Sequence, residues 1–274
     1  GMWVNTDVLE ATGATMPEEW TTWEAFADAM ETVRVNGEAM GYYSYGSGQG
    51  SIRMFNAALA ATPAGAEMLK GPLTADAINS EEFADAFRTV ATLDQQNGSA
   101  NSSVNANDFA ADFNNGLSAV FINGVWGASQ FAGSDNFVSC IYPNSVAISS
   151  ANTGLYVAND LSDAQKELAL EFIKYMTSEE VQSRYFLETS SNPINENVDI
   201  QKLAQESGDP TALKMAEACD KCNKADTIVL AIDVCWGNDV GGALQNKFAE
   251  CAVAGTDIEA KLAELQAELT ALIG

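Results

Sequence analysis

The stretch Phe113-Asn114-Asn115-Gly116-Leu117-Ser118-Ala119-Val120-Phe121-Ile122-Asn123-Gly124-Val125-Trp126 decides the fold class. Leu117–Asn123 is an apolar run of strand length, Asn123-Gly124 is a turn signal, and Trp126 follows the turn. Three further short strands are expected at Ala39–Ser44, Phe137–Tyr142 and Gly154–Ala158. The segments between them carry helical periodicity. Thr21 and Glu24 have capping-box spacing ahead of Trp23, Phe26, Ala27 and Met30. Asn79 and Glu82 open a second helix through Phe83, Phe87 and Val90, with Gly98 as its stop. Ser162 to Gln165 opens a third, and Ser178 caps the next through Val181 and Tyr185. Thr256 to Glu259 leads into a stripe of Ile258, Leu262, Leu265, Leu269 and Leu272. Strands alternating with helices indicate α/β layers rather than a bundle. Loops are expected at Gly46–Ser51, Asn97–Asn107 and Ser145–Thr153.

Composition removes several function classes. The 274 residues include 38 acidic and 13 basic side chains and no histidine, for a formal charge of −25. A polyanion of this density repels nucleic-acid phosphates and anionic lipid headgroups. Without histidine there is no Ser-His-Asp triad, no Cys-His pair and no imidazole-ligated zinc. Charged residues make up 19% and apolar ones 47%, the balance of a chain that folds. No run approaches the roughly 18 apolar residues of a membrane helix.

Catalytic and metal signatures are missing from the sequence. No GxSxG, Walker loop, flanked GxGxxG or EF-hand loop is present. Gly46–Gly50 matches a phosphate cradle only in glycine content, lacking the lysine. The many carboxylates guarantee chance pairs, but none is singled out as a glycosidase pair. Cys140, Cys219, Cys222, Cys235 and Cys251 are odd in number, leaving at least one outside any intrachain pair. They read as small apolar thiols or one local disulfide rather than a metal or redox centre. No cofactor and no metal is expected.

Aromatics carry more information. Tyr42, Tyr43 and Tyr45 cluster just before Gly46–Gly50, Trp126 follows a strand and a glycine turn, and Trp236 stands before Gly237-Asn238-Asp239. Aromatic rings at element ends can stack on the C–H faces of sugars, while Asn, Gln, Asp and Ser bind hydroxyls. Trp3, Trp20 and Trp23 read as core.

The order of these segments resembles the maltose-binding-like extracellular solute-binding proteins of ABC importers. Val4–Gly13, followed by Pro17 and Thr22-Trp23-Glu24-Ala25-Phe26, is similar to one family segment. Phe113–Trp126 resembles the family's glycine-tryptophan signature, and Lys166–Gln182 resembles a later helical segment. Asn192-Pro193 falls at a proline turn of that family, and Trp236 at a helix-start tryptophan. Departures are Val125, where proline is common, and Val4, where tyrosine is common. The resemblance implies two α/β lobes that close on a ligand, commonly a sugar, and deliver it to permease subunits outside the cytoplasm. Carried over by position, Trp126 and Trp236 are stacking platforms, and Tyr43, Tyr45, Ser47 and Gln49 add cleft contacts. Asn152 lies at the hinge-side rim.

Against that pattern, Val4 stands where roughly a hundred residues of a first lobe are expected to have passed. The chain is therefore expected to be an α/β, periplasmic-binding-protein-like (type II) lobe, helix-rich with a small mixed sheet. Residues 1–150 form the main part of the second lobe, residues 151–192 face a first lobe, and residues 193–274 complete the second. No secretion signal opens the sequence, although the family's location implies a cell-surface lipoprotein or a periplasmic protein. Three expectations follow: weak binding of neutral sugars, an exposed apolar patch within Ser162–Leu187, and self-association through that patch. A cell-surface interaction module derived from one lobe is the alternative.

Overall fold

The computed structural model describes residues 1–43, 45–97, 106–130, 135–150 and 154–274, with all their side chains except those of 45–47, 106 and 107. The described strands are β1 (Met2–Asn5), β2 (Met40–Tyr42), β3 (Ser118–Phe121), β4 (Phe137–Cys140), β5 (Val146–Ser149) and β6 (Thr227–Leu230). The described helices of the first half are α1 (Thr6–Thr12), α2 (Trp23–Asn36), α3 (Tyr45–Ala60), α4 (Pro63–Met68), α5 (Ala75–Ile78), α6 (Glu81–Gln96) and α7 (Ala106–Asn114). Those of the second half are α8 (Asp163–Met176), α9 (Glu179–Thr189), α10 (Ile200–Ser207), α11 (Pro210–Asn223), α12 (Ile232–Cys235), α13 (Asn238–Cys251) and α14 (Ile258–Ile273).

The main sheet has the order β2-β3-β1-β4. β1 runs antiparallel to β3 and β4, while β2 and β3 are parallel, so the sheet is mixed as expected. Side chains alternate faces along a strand, and here both faces are apolar. Met2 and Val4 of β1, with Val120 and Ile122, enter the larger core beneath α3, α6, α13 and α14. Trp3 and Phe121, cross-strand partners, point the other way and join Phe109, Phe113, Phe137 and Met215 of a second core. Two helical layers therefore sandwich the sheet. Edge strand β4 is covered from α11, where Lys214 and Lys221 each donate at 2.8 Å to the carbonyls of Phe137 and Ser139.

Residues from both ends of the chain build the larger core. Phe55 of α3 meets Phe83 of α6 edge-on at 5.1 Å, and Phe248 of α13 stacks on Phe87 at 4.9 Å. β5 and β6 pair in parallel, and the Asn56 side chain of α3 locks the exit of β6. Its amide donates to Leu230 O at 3.3 Å and accepts from Ile232 N at 2.9 Å.

Local expectations are adjusted in several places. Caps at Ser162 and Ser178 form as expected, but three others sit one residue later, at Thr22, Ser80 and Asp257. In each case the next polar oxygen along reaches the third backbone N–H. Gly154–Ala158 is not a strand, because it is exposed apart from half-buried Val157 and finds no sheet partner. β5 lies inside the expected Ser145–Thr153 loop, and β6 forms where no strand is expected. Gly46–Ser51 is the start of α3 rather than a loop. Gly48 serves close approach: it has φ +91°, and a Cβ there would fall 2.4 Å from the Gln245 carbonyl oxygen of α13. Gly98 lies outside the described residues, and α6 ends at Gln96.

Candidate functional site

Because β2 and β3 are parallel, their carboxyl ends open on the same edge of the sheet. Crevices at carboxyl strand ends are where open α/β sheets hold ligands. Tyr43 leaves β2 there, and Ile122–Trp126 leave β3 beside it. α3 closes the third side. A Cβ added to Gly50 would lie 3.5 Å from the Ile122 side chain and 3.7 Å from the Tyr43 carbonyl oxygen.

Trp126 is an exposed aromatic of this edge. It lies in a 3-10 turn, Val125–Gln130, and is 53% exposed. The six-membered part of its indole rests against Gly124, where an added Cβ would fall 2.2 to 2.5 Å from three ring carbons. The turn beneath is fixed twice. Gly124 N donates to its neighbour Asn123 Oδ1 at 2.8 Å, and buried Trp3 Nε1 donates to Gly124 O at 2.9 Å. Gly127 gives Trp3 room, since a Cβ there would meet Nε1 at 2.6 Å. One tryptophan is thus buried as an anchor so that another can lie open on a glycine. The sequence marks Trp126, but nothing in it marks Trp3 as the support.

Tyr43 is half-buried, its ring 4.8 Å from that of Phe109. Burial raises its phenol above the ordinary value, and Asp112 adds to this, so it is a neutral hydroxyl donor at physiological pH. Gln49 is exposed on α3. The side chains of Tyr45 and Ser47, and Asn152 as a whole, lie outside the described residues. Tyr43 and Trp126 are therefore brought to one edge, with Gln49 on the adjoining helix.

Trp236 does not fit the platform role expected of it. It is 8% exposed, its ring stacks on Phe83 at 6.4 Å, and its Nε1 donates to Met68 O at 3.2 Å. With both the ring and its polar handle satisfied internally, it is a core residue. The polar residues after it mark the entry to α13 rather than a cleft.

Among the described residues no group of three or more His, Cys, Asp or Glu could hold a metal ion. All five cysteines are free thiols. Burial pushes Cys140, Cys219 and Cys251 up to about 12 and Cys235 to about 11, which keeps them protonated. Asp94 is pushed up to about 7, but it lies in the core. Among the described residues no helix is long and apolar enough to cross a membrane.

A second surface stands out. α8 has no buried residue, and its Leu168, Phe172 and Tyr175 are exposed by 68%, 54% and 60%. Tyr185 and Leu187 of α9 and Ile194 beyond it are also exposed. The apolar patch expected within Ser162–Leu187 is thus present on the surface of the described chain.

Comparison with known proteins agrees with this architecture. Residues 1–211 match the bacterial extracellular solute-binding protein family. A solute-binding protein of Streptococcus pneumoniae, solved in complex with the blood group A-trisaccharide, is 38% identical with a TM-score of 0.92. The alignment covers 99% of this chain and 69% of that one. A chitin oligosaccharide binding protein shares 19% identity at a TM-score of 0.73, over 98% of this chain and 68% of its own. The solute-binding protein RafE in complex with raffinose shares 16% identity at a TM-score of 0.69, over 100% of this chain and 71% of its own. Those last two likenesses concern the fold. Comparison with curated proteins gives no significant match.

Proposed function

Because this chain belongs to the bacterial extracellular solute-binding proteins, we propose that it contributes one wall of a cleft for a neutral sugar or oligosaccharide and delivers that ligand to ABC permease subunits. The observation that carries the ligand class is Trp126, an indole seated on Gly124 and open to solvent at the carboxyl ends of β2 and β3. A fixed, exposed aromatic face suits the C–H face of a pyranose, and a neutral Tyr43 hydroxyl suits its hydroxyls. The 38% identical relative bound to the blood group A-trisaccharide makes that sugar the first probe. Tyr45, Ser47, Gln49 and Asn152 complete the proposed contacts, and Trp236 does not take part. The chain acts outside the cytoplasm, as a surface lipoprotein or in the periplasm, and performs no catalysis. The −25 charge argues for neutral rather than anionic ligands.

In the domain reading, residues 1–150 and 193–274 form one lobe, and residues 151–192 present α8 and α9 to a second. The aligned relatives are longer, this chain spanning 68 to 71% of them. A ligand held against one wall loses the enclosure that closure supplies. These 274 residues alone should therefore bind sugar weakly, and micromolar affinity in calorimetry would contradict that. The exposed face of α8 and α9 favours a second reading, an interaction module that associates through this face. Sedimentation over a concentration series distinguishes the two: a monomer at every concentration removes the second reading.

A further inference from the structure

The sequence contains four Asn-Gly pairs, beginning at Asn36, Asn97, Asn115 and Asn123. Glycine after asparagine leaves no Cβ to hinder the backbone from meeting the side-chain amide. Whether the two meet is decided by where the glycine N–H points. Gly37 N donates to Val33 O at 3.0 Å, and Gly116 N donates to Phe113 O at 3.0 Å. Both nitrogens are thus committed to the last turns of α2 and α7. The Asn36 amide is held as well, its Nδ2 donating to Thr12 O at 3.0 Å. Gly124 differs, because its N–H donates at 2.8 Å to Oδ1 of Asn123 itself. That places the nitrogen beside the Cγ that carries this oxygen. Gly98 lies outside the described residues.

We propose that Asn123 is a site of spontaneous deamidation, at which the Gly124 backbone nitrogen displaces the side-chain amide and alters the turn under Trp126. The modification needs no assumption about a ligand, whereas its consequence for sugar binding rests on the function proposed above.

The step uses only hydroxide and water. Hydroxide removes the Gly124 N–H proton, and the electron pair left on nitrogen attacks Asn123 Cγ. An N–Cγ bond forms, the Cγ–Nδ2 bond breaks, and the amide leaves as ammonia with a proton from water. Water then opens the resulting five-membered succinimide at either carbonyl, giving aspartate or isoaspartate. Nothing is oxidised or reduced. A nucleophile and an electrophile already held in contact are what speeds an intramolecular step of this kind. Asn123 and Gly124 are half-buried, so hydroxide and water reach them. Both products put a negative charge where a neutral amide stood, and isoaspartate also lengthens the backbone by one carbon. The inserted carbon lies next to Gly124, whose carbonyl takes the Trp3 Nε1 bond and whose bare Cα seats the Trp126 indole.

Solvent access and contact geometry rank the pairs in opposite orders. Asn36 and Asn115 are exposed while Asn123 is half-buried, so access alone would favour the first two. The test incubates the folded chain at mildly alkaline pH and digests it with chymotrypsin. Mass spectrometry follows the three peptides, and labelling by an isoaspartyl methyltransferase scores the isoaspartate. Asn123 should convert at least about tenfold faster than Asn36 or Asn115, the gain expected of a preformed contact. In guanidinium chloride the three rates should converge, because the unfolded pairs differ little. Asn123→Gln, whose longer side chain would need a six-membered ring, should lose the fast conversion. Equal rates in the folded chain, a faster Asn36 or Asn115, or the same ranking after unfolding would overturn the proposal. The converted form, separated by its added charge, should show red-shifted tryptophan emission, and unchanged emission would overturn the effect on the turn. It should also lose contact with any neutral sugar that the fresh chain binds. A fresh chain that binds none would remove the sugar reading and leave the modification standing.

Discussion

Replacing Gly124 by alanine should evict the Trp126 indole from its seat while leaving the turn intact. Gly124 does not adopt a left-handed backbone, so alanine brings no conformational penalty of that kind. The added Cβ, however, would fall 2.2 Å from Cη2, 2.3 Å from Cζ3 and 2.5 Å from Cε3 of the indole. Non-bonded carbons need about 3.5 Å, so the ring must swing away. Trp126 is 53% exposed, so roughly half of a side chain that buries up to ~200 Å² is covered. At ~25 cal/mol/Å² that is about 2.5 kcal/mol at most, and losing contact with Gly124 alone should cost about 1 kcal/mol. The bond from Trp3 Nε1 to Gly124 O involves the backbone and should survive. Two assays read the outcome. Urea denaturation should show a small loss of stability with unchanged m-value, and tryptophan emission should shift to the red with greater acrylamide quenching. Four of the five tryptophans would keep their surroundings, so the change belongs to Trp126. Unchanged emission and quenching would refute the idea that Gly124 seats the ring.

Other substitutions follow from the same geometry. Trp236→Ala should destabilise the fold by about 3–5 kcal/mol in urea denaturation, as for a buried aromatic, whereas a loss below 1 kcal/mol would return the residue to the surface. For Asp94 the sign runs against the usual acid case. Its folded value of about 7 lies above the ordinary 3.8, so the folded chain keeps a proton that the unfolded chain releases between those limits. Its contribution is fully present below about pH 4, falls by up to about 1.4 kcal/mol per unit, and is exhausted above pH 7. Exposed carboxylates paired with cations, such as Glu250 and Glu264, titrate the other way, so the difference between wild type and Asp94→Asn isolates the effect. Leu168→Ser with Phe172→Ser should abolish concentration-dependent association in sedimentation without lowering stability, since neither residue is buried.

Much of the α/β layering could be read from apolar periodicity. The runs at Ala39–Ser44, Leu117–Asn123 and Phe137–Tyr142 each contain a strand, because short apolar runs between turn signals have few other ways to be buried. Caps at Ser162 and Ser178 were equally legible, whereas at Thr21-Thr22, Asn79-Ser80 and Thr256-Asp257 two adjacent polar oxygens compete, and only backbone geometry picks one. β5 and β6 escaped because each needs the other: their pairing spans about eighty residues, and neither is long enough to declare itself. Gly46–Ser51 looked like a loop because glycine content says nothing of what approaches it, here the backbone of α13. The exposed place of Trp126 was legible from the turn before it. Trp236 misled, since its polar sequence neighbours hide the Phe83 ring and Met68 carbonyl that enclose it. Asp94 carried no signal, being one acid among 38 until the fold buries it.

Saturation-transfer NMR with a panel of neutral oligosaccharides, led by the blood group A-trisaccharide, bears most directly on the proposed sugar wall. The method reads weak binding, which these residues alone should show. Wild type should transfer saturation to the sugar's C–H protons, Trp126→Ala should lose it, and Trp236→Phe should retain it. No transfer from wild type to any member of the panel, or transfer undiminished in Trp126→Ala, would contradict the account.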